Sequence, residues 1–162
     1  MRRADLPQAL RFVSGSRSYK DAPAIGRALA RARLNLSSLR DEVIARQQDD
    51  KIYTSDLSRA FVASRRKIAA TFAFKDEKGI PVADARGNIS LENPLAFEDS
   101  LRRYSEEHPD EKIAADQEEE AYRAWLNEEV SYSRTSVKED DLPVDATADE
   151  LWAMYLLLDV QA

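Results

Sequence analysis

Cysteine is absent from the 162 residues, and histidine occurs once. The first absence excludes disulfide frameworks, thiolate zinc sites, iron–sulfur clusters and cysteine nucleophiles. The second excludes metal centres built from several imidazoles. Glycine is scarce as well, with four in the chain. Gly79 and Gly87 belong to turns, and neither stands at the spacing that brings a Lys and a Ser/Thr to a nucleotide. No run approaches the ~18 apolar residues of a membrane span. Met1 to Val13 carries charges rather than the apolar stretch of a secretory signal. These gaps lead to a chain that is not exported, has no membrane partner, and offers no catalytic residue, metal ligand or cofactor.

What is present is charge. Charged residues make up 33% and apolar ones 43%, a balance that suits a helical protein with much solvated surface rather than a disordered one. The charge is uneven. Residues 1–72 hold 15 Lys/Arg against 7 Asp/Glu, and residues 73–162 hold 9 against 23. A basic half and an acidic half either neutralise one another or meet a charged partner. The expected organisation is a basic helical region over 1–75 and an acidic α+β region over 76–162, in one folding unit.

The N-terminal part reads as helices. Asp5 is positioned to cap a short one carrying Leu6, Leu10 and Val13, stopped at Gly15. Asp21 and Pro23 then open a long one. Its apolar residues Ile25, Leu29, Ala32, Leu36, Leu39 and Val43 recur in steps of 4 and 3, the spacing of a coiled-coil seam. Such a stripe needs a partner. A second helix over about 56–74, with Leu57, Phe61, Ser64 and Ile68 on one face, would supply it as an antiparallel hairpin. A dimer of the first helix is the competing solution, and Ile25, Leu29, Leu36, Leu39 and Val43 are then the interaction residues of a homo-oligomer.

The pattern next changes to period two. Ile80 and Val82, then Ile89 and Leu91, alternate about a turn at Asp84 to Asn88, which predicts a β-hairpin with Pro81 on an edge. Asn93-Pro94 is a helix start, with Leu95, Phe97, Leu101 and Tyr104 as its contacts and His108-Pro109 as its stop. Asp110 to about Asn127 continues as a helix with Ile113, Ala121, Trp125 and Leu126 inward. Val130, Tyr132 and Val137 suit a further strand. Thr147 and Glu150 form a capping box ahead of a helix that is apolar on nearly every side. The fold class is therefore α+β, mostly α.

Few residues suggest chemistry. Arg59, Arg65, Arg66 and Lys67 on the second helix are candidate nucleic-acid contacts, for salt-dependent binding without a groove-reading motif. The acidic runs, Glu118-Glu119-Glu120 among them, lack the spacing of a calcium loop and read as solvated helix faces. His108 has no marked nucleophile to serve. Trp125 and Trp152 read as core.

A resemblance adds to this. The order Phe74-Lys-Asp-Glu-Lys-Gly79, Gly87-Asn88, Ile89-Ser-Leu-Glu-Asn-Pro-Leu-Ala-Phe97, Trp125-Leu-Asn-Glu-Glu-Val130 and Thr147-Ala-Asp-Glu-Leu151 resembles a group of small tailed-phage and prophage proteins of unknown function. It covers roughly residues 22–158, departs from the pattern over 47–55, and carries over no catalytic residue. The resemblance implies a non-enzymatic protein of the bacterial cytoplasm or the virion, acting on a phage or host protein in virion assembly or as an inhibitor of a host factor. Nucleic-acid binding through the basic helix is the alternative.

Overall fold

The computed structural model describes residues 1–14, 19, 21–83 and 89–161. Gly15 and the expected turn at 84–88 lie outside them. As expected, the chain is mostly helical with a small sheet, an α+β protein. The helices are α1 (Leu6–Phe12), α2 (Pro23–Ala45), the single turn α3 (Asp49–Ile52), α4 (Asp56–Thr71), α5 (Pro94–Glu107), α6 (Pro109–Asn127) and α7 (Ala148–Leu157). The strands are β1 (Ser136–Lys138) and β2 (Asp159–Gln161). Among the described residues no helix is long and apolar enough to cross a membrane.

The chain does not divide near residue 75. Contacts sort it into one compact unit of residues 1–48 and 123–162 and another of residues 49–122. The reason lies in what buries the α2 stripe. Ile25, Leu29, Ala32 and Leu36 join one apolar core with Leu6, Ala9 and Leu10 of α1 and Ala153, Met154 and Leu157 of α7; Leu39 packs at its margin. Val43 is fully buried as well. The stripe's partners are thus the two ends of the chain. The helix of 56–71 packs instead on α5 within its own unit. Its stripe already filled, α2 has no seam to offer a second copy, which corrects the reading of these residues as an oligomer interface.

Local signals account for most of the first unit. Pro23 occupies the first turn of α2, where its missing N–H costs nothing. The expected acidic caps are not used. Ala22 is the residue ahead of α2, and the Asp5 carboxylate accepts two bonds from Arg2 at 3.1 Å. The capping box does form: Glu150 N–H donates to Thr147 Oγ1 at 3.2 Å, and Thr147 N–H donates to Glu150 Oε2 at 2.8 Å. Trp152 meets Phe12 edge-on, with centroids 6.1 Å apart. The expected strand narrows to β1, whose Val137 is buried. It pairs in parallel with β2, Val137 opposite Val160, so that 139–158 forms the crossover. Tyr132 Oη donates to the Leu157 carbonyl at 2.7 Å, meeting an orphan acceptor of the last turn of α7. The N-terminus is tied to 128–130 by Arg3 N–H to Glu128 O and Val130 N–H to Met1 O. The guanidinium groups of Arg3 and Arg46 lie 4.8 and 4.4 Å from the Trp125 ring centre, close enough for cation–π attraction.

The second unit has a smaller apolar core of Tyr53, Phe61 and Ala115, with Ile52, Val62, Leu101 and Tyr104 packed against it. Ile113, expected inward on α6, is 53% exposed, and Ala115 is the buried residue of that helix. Asn93 caps α5 as expected, its Oδ1 accepting from Ala96 N–H at 3.1 Å.

A test of the stripe follows. Leu36 is 2% exposed, while Leu34 on the far side of the same helix is 77% exposed. Leu36→Ala is expected to lower stability by about 2–5 kcal/mol, and Leu34→Ala by less than about 0.5 kcal/mol, in urea unfolding. Equal costs would contradict this burial. Light-scattering mass is expected to be the same for both.

Candidate functional site

In the second unit, three short segments follow and precede helices: 72–76, 80–83 and 89–92. They are held by a closed ring of backbone bonds. Phe74 N–H donates to Ser90 O at 2.9 Å, Ser90 N–H to Val82 O at 3.0 Å, and Val82 N–H to Phe74 O at 2.8 Å. The last two segments are the expected hairpin pair; residues 72–76 are the third member, although 72–74 fall at the end of the helix expected over 56–74, which stops at Thr71. The turn at 75–79 is as read. Asp76 Oδ1 accepts from Lys78 N–H at 2.9 Å and Ile80 N–H at 2.8 Å, and Gly79 takes φ +77°, which glycine adopts without a Cβ penalty. Pro81 pairs with Lys75, and the flanking bonds come from Val82 and Asp76. The ladder therefore never calls on the N–H that proline lacks.

This pairing sorts the side chains. Lys75 opposite Pro81 sets Phe74 opposite Val82 and Asp76 opposite Ile80. Alternation, which carries the charged Asp76 along with them, then sends Phe74, Ile80 and Val82 to one side. They are 51%, 57% and 44% exposed, so three large apolar groups stand half in water on one small face.

At the other end of α4, its start is braced by charge. Ser55 is its N-cap and accepts from Ser58 N–H at 3.2 Å. A capping box would place Glu or Gln where Ser58 stands. The missing carboxylate comes instead from Glu118 of α6. It accepts from Thr54 N–H at 2.6 Å, Ser55 N–H at 3.0 Å and the fully buried Ser58 hydroxyl at 2.8 Å. Burial pushes the Glu118 carboxyl upward, but the bonds from Ser58, Thr54 and Ser55 outweigh it and hold the group below the ordinary glutamate value. Glu118 is no solvated-face residue, a correction to the reading of the acidic run. The signal that could have found it is a Ser N-cap without an acid three residues on.

A second polar chain links α4, α5 and α6. Ser64 Oγ donates to Tyr104 Oη at 2.9 Å, and Tyr104 Oη donates to Glu111 Oε2 at 2.6 Å. His108 stacks on Tyr104 at 4.3 Å and places Nδ1 3.5 Å from Glu111 Oε1. Serine, tyrosine, glutamate and histidine in one cluster invite a catalytic reading, but the electrostatics run the other way. The bond to Glu111 raises the Tyr104 pKa, against a smaller lowering by Ser64. A phenol held more tightly to its proton does not activate the serine hydroxyl. The cluster ties three helices together.

The basic residues of α4 do not form one surface. At about 100° per residue, Arg65, Arg66 and Lys67 fan over roughly 200° of the helix. Arg59 is engaged locally: Nε donates to Tyr53 O at 3.3 Å, the guanidinium also reaches Thr54 O, and Asp56 lies 3.9 Å away. Arg59 takes the carbonyls of this turn as Glu118 takes its amides. No family model, curated protein or solved structure matches the chain.

Glu118→Gln is expected to destabilise the second unit by about 1–3 kcal/mol, since it removes the charge that satisfies three donors. The sign with pH is fixed by the lowered value. The stabilisation is whole above the ordinary glutamate range, about 4.3, and is lost as pH falls through the lower folded-state value. The wild-type melting temperature should drop more steeply over that acid range than that of Glu118→Gln. Parallel curves would show that the carboxylate does no bracing.

Proposed function

We propose that this protein is a non-enzymatic binding protein that acts by contact with another protein through the face of Phe74, Ile80 and Val82. The observation that carries this reading is that face itself: three apolar side chains half in water on a hydrogen-bonded support. Exposed apolar groups gathered in this way mark interaction sites more often than scattered ones do. The ring of bonds uses the backbone groups of Phe74, Val82 and Ser90 themselves, so those three residues have none left for an added strand. The partner is therefore a protein that presents apolar side chains from a helix or loop, rather than a strand that extends a sheet. The resemblance to small tailed-phage proteins supports a role in virion assembly or in blocking a host factor. Nucleic-acid binding through α4 is less well supported, because Arg59 is engaged and Arg65, Arg66 and Lys67 diverge.

The test compares the tagged chain with Phe74→Asp/Ile80→Asp in host lysate treated with nuclease. Both positions are about half exposed, so the variant should melt within about 0.5 kcal/mol of the wild type. The expected result is a protein retained by the wild type and lost with the variant. Retention of the same proteins by both would overturn the reading. A change of mass in the purified chain on substitution would assign the face to a second copy instead.

A further inference from the structure

The geometry points to a second binding site, in the other unit, for a small molecule carrying a multiply charged phosphate group. A groove of about 510 Å³ runs between the first turns of α2 and strand β1. Its volume falls within the roughly 300–1,000 Å³ of small-ligand sites. Arg27 and Arg31 line it from α2, one helical turn apart, and Lys138 lines it from β1. None of the three side chains makes an ion pair or hydrogen bond with another described residue. That is notable in a chain with 30 carboxylates and a net charge of −6. An adjoining groove that shares Ala24, Arg27 and Asp141 is lined by Asp21, Asp140 and Asp145, and none of these acids forms an ion pair with Arg27. Asp141 is the carboxylate in the groove wall, and Asp159 is held by Ser136 Oγ at 2.7 Å and Gln161 Nε2 at 2.9 Å.

Within this groove three cations stand against one carboxylate, a local excess of positive charge that ends at the acids of the adjoining groove. Two guanidinium forks a turn apart suit the several oxygens of a phosphate or diphosphate, and lysine adds a compact charge. Ala24, Ala28 and Val137 supply an apolar floor beside them. A nucleic-acid strand fits less well. The lining holds no aromatic ring on which bases could stack, and the net negative chain repels a long polyanion at range. This site is independent of the apolar face, so either can fail alone.

The experiment is titration calorimetry of the full chain at low salt with inorganic pyrophosphate, with ATP and with a short single-stranded oligonucleotide, each against Arg27→Gln/Arg31→Gln. Both arginines are exposed, so the variant should keep the wild-type melting curve. Lys138→Gln serves as the second variant if it does not. The expected result is saturable one-to-one binding of pyrophosphate, weakened at least about tenfold in the variants. Tighter binding of ATP than of pyrophosphate would make the source a nucleotide; equal binding would make it the phosphate group alone. Absence of saturable binding to both, binding that the variants leave unchanged, or a preference for the oligonucleotide over both would overturn the proposal.

Discussion

The stripe on α2 is the constraint from which the architecture follows. A 23-residue helix with Ile25, Leu29, Ala32 and Leu36 on one face cannot leave them in water. Each large aliphatic side chain contributes about 1.5–3 kcal/mol on burial. The neighbours that complete this core are α1, just upstream, and α7, more than a hundred residues downstream. The first unit can close only when the chain has returned. Residues 49–122 are therefore a continuous unit set within a discontinuous one. The return is fastened by short polar and aromatic ties: Arg3 and Arg46 over Trp125, the backbone bonds at 1–3 and 128–130, and the parallel pairing of β1 with β2.

The second unit solves a different problem. Among the described residues its buried apolar set is Tyr53, Phe61, Ala73 and Ala115, too few side chains to order four helical segments by burial alone. Polar ties make up the difference. Glu118 and Arg59 divide the 53–58 turn between them, one taking amides and the other carbonyls. Ser64, Tyr104 and Glu111 bind three helices in one chain of bonds. Charge-assisted bonds of this kind hold geometry as well as energy. The same economy accounts for serine, tyrosine, glutamate and histidine meeting in one cluster.

The sequence made local structure legible and long-range choice much less so. Capping at Thr147, Asn93 and Ser55, the turn at Asp76–Gly79, and the stripe on α2 are each decided within a few residues, and periodicity and cap chemistry expose them. What the stripe packs against is decided by which apolar face the chain can bring back. The heptad spacing of Ile25 to Val43 fits α1 and α7 as well as it fits a parallel copy or the helix at 56–71. The two acids at Asp5 and Asp21 were good caps on paper, yet Arg2 takes the first and Ala22 stands at the start of the second helix. Of the candidate site, Ile80 and Val82 were visible as an alternating pair. Phe74 was not, because a strand of five residues emerging from a helix carries no period of its own. Glu118 was hidden for a related reason: its partners lie sixty residues away, and a carboxylate among carboxylates has no distinguishing pattern.

The closed ring at Phe74, Val82 and Ser90 also bears on why an exposed apolar face can persist. Half-exposed Phe, Ile and Val on a free strand edge would recruit any extended chain, since the edge pairs without regard to sequence. With the backbone groups of Phe74, Val82 and Ser90 already paired, that indiscriminate route is narrowed at these three residues. Association then depends on side-chain shape, which few surfaces match. Under the proposed reading the hydrogen-bond ring and the exposed side chains act together: the first limits unspecific pairing at its own residues, and the second keeps apolar contact available to a surface that fits.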